Sequence, residues 1–228
     1  MIKTTKLTND LKGKLMKLRR FSPLGLLLPL LALLVAAGCN VIPPVQPDTT
    51  RYYVLSGPAL ADAGGPATTA GTLRLGLRPV EIAPYLRKNA MVVRSGDNEV
   101  AFPNEARWAE PLEQEIGATL RQRLLAAPAV ARVFTPPFPF DPSRDFDVSV
   151  QVLRCEGVRE HGGRSVARFA ATIEISTTGD KVQLVVRKTF VAPDAAWDGK
   201  DFGRLAALLG DAVGALSQDV VASLPEKK

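Results

Sequence analysis

Apolar residues follow three patterns along the chain: one uninterrupted run, several alternating stretches and two stretches with helical spacing. The alternating stretches predict strands, because successive side chains of a strand point to opposite faces of a sheet. Residues 72–80 alternate leucine with arginine or glycine, and residues 147–155, 165–176 and 181–192 alternate in the same way. The last three are separated by turns that contain glycine, which predicts an antiparallel meander. Shorter strands are expected at 52–55, 90–94 and 130–134.

Two longer stretches have the spacing of amphipathic helices. In residues 104–127 an apolar side chain recurs at every fourth position from Trp108 to Leu124, and Pro111 is expected in the first turn. A second helix is expected at 201–224. We therefore predict an α+β fold, a largely antiparallel sheet with two amphipathic helices packed on one face. The apolar face of the second helix is formed by Phe202, Leu205, Leu209, Ala212, Val213, Leu216 and Val220.

The uninterrupted run, residues 24–38, follows a basic leader and ends in small residues before Cys39. A basic leader, a short apolar segment and small residues are typical of a secretory signal, and the run is shorter than the about 20 residues of a membrane-spanning helix. Cysteine directly after Gly38 resembles a bacterial lipobox, with cleavage between Gly38 and Cys39 and lipid attached to Cys39. An ordinary signal with an incidental cysteine and an uncleaved anchor are the alternatives. Met16 is a second possible start.

These observations divide the chain into four parts. Residues 1–38 are expected to be the signal peptide and residues 39–50 a lipidated, proline-rich tether. At about 3.1 Å per extended residue the tether spans about 30 Å. Residues 51–224 are expected to form a single domain, and residues 225–228 a charged tail.

The net charge of the precursor does not belong to the domain. The signal holds seven basic residues and one acidic residue, which supply the whole formal charge of +6. Without it, 22 basic and 22 acidic residues cancel, so bulk charge gives no support for nucleic-acid binding. Cys155 is the one cysteine left after lipidation of Cys39, and its strand pattern predicts a buried side chain.

Candidate chemistry in the sequence does not favour an enzyme. The one histidine, His161, lies at an expected hairpin tip, where a general base would have no orienting partner. The sequence has no cluster with zinc-ligand spacing and no glycine-rich phosphate loop, so we predict no metal and no cofactor. The paired carboxylates, Asp145 with Asp147 and Glu113 with Glu115, are interpreted as solvated, although a catalytic pair of carboxylates distant in the chain stays open.

Several local motifs, taken in order, resemble one known family. They are Cys39 with its lipobox, a Tyr-x-Leu at 53–55, Pro-Tyr-Leu at 84–86 before a valine-rich strand, Trp-Ala-Glu-Pro-Leu at 108–112, and Leu-Ser at 216–217. Together they look like the PqiC-type lipoproteins, also called ABC-type transport auxiliary lipoproteins. The resemblance covers nearly all of residues 39–224. The family usually has Tyr-Leu-Asp-Arg where this chain has Arg87 and Lys88 after Leu86, so the acidic residue's role is not carried over.

The resemblance implies a non-catalytic adaptor of an intermembrane lipid transport system. Its partner would be an MCE-domain protein that works with ABC transporter components, and ring-like self-association is expected. Asn40 after the lipidated cysteine favours the outer membrane over the inner one, with the domain facing the periplasm. An alternative is that the protein itself carries lipid in an apolar groove between sheet and helices, and a periplasmic hydrolase is a third, less favoured hypothesis.

Three side chains are candidates for contact with the partner: Arg87, Lys88 and Trp197. Arg87 and Lys88 follow the Pro-Tyr-Leu motif and are expected to be exposed. Trp197 lies in a loop before the second helix, where it either fastens that loop to the fold or is exposed for a partner. Trp108, at the head of the first helical stripe, is expected in the core.

Overall fold

The computed structural model describes residues 47–55, 71–138, 144–179 and 181–225. Its two α-helices are α1 (Leu112–Leu125) and α2 (Phe202–Ala222), and a 3-10 helix spans Pro84–Lys88. The strands are β1 (Arg51–Tyr53), β2 (Leu73–Leu77), β3 (Glu81–Ile82), β4 (Val93–Ser95), β5 (Glu99–Ala101), β6 (Ala106–Trp108), β7 (Val130–Phe134), β8 (Phe146–Arg159), β9 (Ser165–Thr177), β10 (Leu184–Val191) and β11 (Ala195–Trp197).

Strand β8 organises the main sheet, whose central order is β10-β9-β8-β2-β7. Its first half pairs with β2 and β3, and its last residues pair with β4. Strand β11 extends the β9 side, and β5 pairs with β4. Strands β1 and β6 form a separate two-stranded sheet.

The sheet is mixed, and the prediction of a largely antiparallel sheet is not confirmed. The β8-β9-β10 meander is antiparallel, as its glycine turns indicated. Strands β2, β3 and β4 nevertheless run parallel to β8, and β7 runs parallel to β2. Parallel pairing requires a crossover connection, and α1 lies in that connection, because it follows β2, β3 and β4 in the chain and precedes β7 and β8.

Helix α1 begins later than its sequence pattern suggested. Residues 106–108 form strand β6, and the helix starts at Leu112 after Pro111, whose φ of −55° and ψ of 126° are extended. Proline disfavours helical geometry in the residue before it, which prevents an earlier start. Trp108 is buried as expected, but from a strand. The apolar stripe on the helix itself is confirmed, with Leu112, Ile116, Leu120 and Leu124 all buried.

Helix α2 follows its predicted bounds closely. Asp201 caps its first turn, because its carboxylate accepts the Arg204 N–H at 3.0 Å. Among the described residues, α2 is the one helix long and apolar enough to cross a membrane, and half of that stretch is buried against the rest of the protein. This burial, and the contacts of α2 with the apolar core, are those of a core helix.

Both helices contribute to one apolar core with the strands. The leucines of β2 point into this core, together with Phe169, Ile173 and Ile175 of β9 and the buried thiol of Cys155. The alternate residues of the same strands point to the opposite face, which we call the open face because neither α-helix packs on it. Charged and hydroxyl side chains occupy most of that face, which is where the charged clusters described below lie.

Candidate partner-contact surfaces

The 3-10 helix presents the two basic residues that the sequence singled out. Arg87 and Lys88 form its last turn, and both are exposed. Lys88 Nζ lies 4.3 Å from the centroid of the Phe102 ring, a cation–π contact. Leu86 is buried in the core, and Asn89 ends the helix in the left-handed conformation. The helix is thus anchored at its base and carries two positive charges outward.

A buried carboxylate under the 3-10 helix fixes its position. The Tyr85 hydroxyl donates to Glu156 Oε2 at 3.0 Å, and Arg94 Nε donates to Glu156 Oε1 at 2.7 Å. Glu156 is 0% exposed, so this charge depends on both donors. Burial and the negative charge of Glu156 raise the pKa of Tyr85 to about 12. The hydrogen bond to Glu156 also raises the pKa of Arg94. These three residues connect the Pro-Tyr-Leu motif to β8.

Trp197 is not available for partner contact in this structure. Its side chain is 5% exposed, and its ring packs 5.7 Å from Phe202 between ring centroids. The indole N–H donates to the Asp201 carbonyl at 2.7 Å. Of the two alternatives, Trp197 therefore fastens the loop before α2. The expectation that it contacts a partner does not fit this placement, because the aromatic face is used inside the fold.

The lipidation site lies outside the described residues. Gly38 and Cys39 precede the first described residue, as does most of the tether. Lipidation of Cys39 and cleavage between Gly38 and Cys39 therefore stay predictions from the sequence.

Two carboxylates that were expected in solvent are buried. Asp147 accepts hydrogen bonds from Arg78 and Arg144, and Glu115 accepts the Leu55 N–H at 3.0 Å. The sequence pattern suggested that water solvates these two carboxylates. In the structure, side-chain and backbone N–H groups of the protein donate to them instead.

The described residues offer little for catalysis. His161 is exposed, and burial raises the pKa of the Cys155 thiol well above its ordinary value, which makes it a poor nucleophile. Within the described ranges, no group of three or more His, Cys, Asp or Glu side chains is arranged to hold a metal ion.

Sequence analysis missed an arginine cluster on the open face, at the start of β8. Asp147 is its centre: Arg78 Nη2 lies 3.0 Å from one carboxylate oxygen, and Arg144 Nε lies 2.9 Å from the other. Gly76 of β2 makes room for these groups, since a Cβ there would collide with both Asp147 and Arg144. Arg78 remains half exposed while paired.

The other half of the arginine cluster surrounds an aromatic ring. Arg74 of β2 and Arg132 of β7 are register partners on adjacent parallel strands. Their guanidinium carbons lie 5.6 and 5.0 Å from the centroid of the Phe134 ring. The sequence signal for this cluster was Arg74 within β2 and Arg78 just after it, at alternate positions with the leucines, but its meaning required the adjacency of β2 and β7. Hereafter "arginine cluster" means Arg74, Arg78, Arg132 and Arg144.

One groove lies between the C-terminal ends of the two helices. It has a volume of about 410 Å³ and is open to solvent. Arg123 of α1 borders it, and most of its lining is small or apolar, including Ala126, Ala127, Gly214 and Val221. This position is between the two helices, not between sheet and helices as the lipid-carrier alternative expected.

Comparison with known proteins identifies what this fold resembles. Residues 53–221 match the model of the ABC-type transport auxiliary lipoprotein component family. No curated protein matches the chain in sequence.

Two solved structures show the same fold at low identity. A Xanthomonas campestris protein of the DUF330 family is 16% identical with a TM-score of 0.58, and the match covers 75% of this chain and 89% of that one. An uncharacterized protein is 18% identical with a TM-score of 0.57 over 77% of this chain and 99% of its own. The PelC dodecamer of Paraburkholderia phytofirmans is 13% identical over 72% of this chain and 96% of its own. Its TM-score is 0.36.

Proposed function

Because this chain belongs to the ABC-type transport auxiliary lipoprotein family, we propose that it is a non-catalytic adaptor of an MCE-type intermembrane lipid transport system. The family match over residues 53–221 is the observation that carries this proposal. In it, lipid on Cys39 holds the domain at the periplasmic face of the outer membrane, and the domain contacts an MCE-domain protein. The small residues before Cys39 and the proline-rich tether support such an anchor.

The anchor is tested by replacing the cysteine. Cys39→Ser is expected to accumulate as a precursor that carries no lipid, because the new N-terminal sulfur is the acylation site. Cys155→Ser keeps the lipobox and serves as the matched control. Normal processing and membrane attachment of Cys39→Ser would rule the lipobox out. Asn40→Asp is expected to move the protein toward the inner membrane, and an unchanged distribution would remove the argument for the outer membrane.

The partner is tested by crosslinking in cells. A photoactivatable amino acid at Arg87 or Lys88, followed by mass spectrometry, is expected to recover an MCE-domain protein, since both side chains project from an anchored helix. The same probe at Arg121, exposed on α1, controls for general proximity. Failure to recover an MCE-domain protein from either position would contradict the proposed contact.

Self-association is a further part of the proposal. Strand β10 ends the order of the main sheet, and exposed apolar side chains lie on it or beside it: Val182, Leu184, Val185 and Val191. An edge with these properties favours association. Light scattering of the purified chain is expected to give a mass above one protomer, and Val185→Lys is expected to lower it. A monomer at all concentrations would exclude self-association.

Direct lipid carriage is the second candidate, and the groove between the helix ends is the observation that favours it. Its volume of about 410 Å³ lies within the range of about 300–1,000 Å³ that is common for small-molecule sites. Native mass spectrometry of the purified chain is expected to detect bound lipid, and Gly214→Leu is expected to remove it by filling the groove. A spectrum without bound lipid would exclude direct lipid carriage, and the adaptor role would be the remaining candidate.

A further inference from the structure

The groove between the two helix ends has a charged end and an apolar end. Arg123 lies over Gly214, because a Cβ at that glycine would be 3.9 Å from the guanidinium carbon of Arg123. Val221 and Ala222 line the groove farther along α2. Eight residues at about 1.5 Å each separate Gly214 from Ala222 by about 12 Å along the helix axis. One basic side chain is therefore followed by about 12 Å of mostly small and apolar lining.

Polar groups of both groove walls have hydrogen-bond partners within the protein. At the end of α1, the Ala126 N–H donates to the Gln122 carbonyl. On α2, the buried Ser217 hydroxyl donates to the Gly214 carbonyl at 2.6 Å. A guest peptide would bring an N–H and a carbonyl group with each residue, and these groups need partners, whereas a hydrocarbon chain needs none. The walls of the groove therefore suit an acyl chain better than an extended peptide.

Arg123 is the one charged residue in the groove lining. Its side chain is exposed in the last turn of α1, where a positive charge also suits the negative end of the helix dipole. Among the described residues, no carboxylate lies within 4.0 Å of its guanidinium nitrogens. A guanidinium group binds a carboxylate or a phosphate through two parallel hydrogen bonds. This end of the groove is therefore suited to an anionic group.

We propose that this groove binds a lipid with one acyl chain and an anionic head group, which is a fatty acid or a lysophospholipid. The carboxylate or phosphate pairs with Arg123, and the chain lies along Ala126, Val221 and Ala222. Removal of the chain from water drives this contact. The inference rests on the proposed direct lipid carriage and specifies its ligand. A volume of about 410 Å³ holds one acyl chain, but not two chains side by side.

The binding test uses the full mature chain, lipidated and purified in a neutral detergent, and locates the ligand by photoaffinity labelling and mass spectrometry. Four probes carry the same diazirine group on the acyl chain: dodecanoic acid, its methyl ester, a lysophosphatidic acid and a two-chain phosphatidic acid. Both anionic single-chain probes are expected to label residues 123–128 and 214–222, and the stronger of the two identifies the head group. The methyl ester is expected to label the groove about three- to fivefold less, because it forms no ion pair with Arg123. Labelling by the anionic probes is expected to fall as salt is raised.

Variants test the two ends of the groove separately. Arg123→Gln is expected to reduce groove labelling by the anionic probes about three- to fivefold and to leave labelling by the methyl ester unchanged. Gly214→Leu is expected to abolish groove labelling by every probe, because its side chain fills the space beneath Arg123. Arg121→Gln changes an exposed arginine of α1 that does not line the groove, and it is the matched control. Unchanged urea-unfolding midpoints verify that each variant is folded.

Equal groove labelling by dodecanoic acid and its methyl ester, or unchanged labelling in Arg123→Gln, would overturn the inference. Stronger groove labelling by the two-chain phosphatidic acid would also overturn it, while supporting direct lipid carriage. Absence of groove labelling by every probe would exclude both. The adaptor role is tested by crosslinking from Arg87 and Lys88, so its failure is distinguishable from the failure of this inference.

Discussion

Arg94 forms a two-point contact with Glu156 beneath the 3-10 helix. Its Nε lies 2.7 Å from one carboxylate oxygen, and its Nη2 lies 3.2 Å from the other. The two residues belong to neighbouring parallel strands, β4 and β8, and Glu156 is fully buried. A buried charge that loses its partner is strongly destabilising, so this contact ties the end of the sheet to the surface that carries Arg87 and Lys88.

Replacing Glu156 is expected to destabilise the domain. Glu156→Gln leaves Arg94 facing a neutral amide, and loss of one partner of a buried pair costs about 3–5 kcal/mol. Urea unfolding is expected to show that decrease in the free energy of unfolding. Glu99→Gln changes an exposed glutamate of the nearby β5 and is expected to stay within about 0.5 kcal/mol. Equal stability of both variants would mean that the buried pair does not hold this region.

The Tyr85 hydroxyl predicts an alkaline limit to stability. Its pKa is raised from 10.0 to about 12, first by burial and then by Glu156, so the folded state favours the protonated form. The stabilisation that the protonated Tyr85 gives the folded state is complete below its ordinary pKa of about 10, and it is lost as pH rises through about 12. The free energy of unfolding is therefore expected to fall across this interval in the unmodified chain, and to fall less in Tyr85→Phe. Identical profiles in the two proteins would contradict the assignment.

The parts of the fold that follow from local periodicity were predicted from sequence. The β8-β9-β10 meander needs only alternation and glycine turns, and α2 needs only its apolar face and Asp201 as a cap. Trp108 shows the limit of this approach. Its four-residue spacing from Leu112 suits a helix, but Pro111 between them stops the helix, and pairing with Tyr53 makes it a strand residue.

The candidate surfaces depend on contacts between residues distant in sequence. Parallel pairing of β2 with β8 places Gly76 beside Asp147, and pairing of β2 with β7 places Arg74 beside Arg132. Neither pairing leaves a periodic signal, because the residues are about 60–70 positions apart. The exposed positions of Arg87 and Lys88 were accessible to sequence analysis, since they follow a short motif that ends in the buried Leu86.

Alanine substitutions at Gly157 and Gly117 are expected to have opposite effects on stability, because the first position is closely packed and the second has room for a methyl group. In Gly157→Ala the new methyl group would lie 2.5 Å from Trp197 Cζ3 and 3.1 Å from Leu205, so the loop before α2 must shift. We expect a loss of about 1–3 kcal/mol and a change in tryptophan fluorescence. Gly117→Ala on α1 meets Val80 at 3.7 Å, an ordinary contact, and is expected to stabilise the helix by up to about 1 kcal/mol. A neutral Gly157→Ala would show that Trp197 is not closely packed there.

Glu115 predicts a pH dependence on the acidic side. It accepts the Leu55 N–H from a buried position at the start of α1, and burial raises its pKa, with a further contribution from Glu110. The folded state thus favours the protonated carboxyl, and this contribution is lost as pH rises through the folded pKa.

Glu115→Gln keeps an acceptor for Leu55 and removes the charge, so we expect it to gain stability over the unmodified chain as pH rises from acidic to neutral. Urea unfolding at a series of pH values measures the difference. Glu113→Gln, in the same helical turn but less buried, is the control. If the stability difference between Glu115→Gln and the unmodified chain does not change with pH, burial does not raise the pKa of Glu115. The hydrogen bond from the Leu55 N–H would then be enough to compensate the ionised carboxylate for its burial.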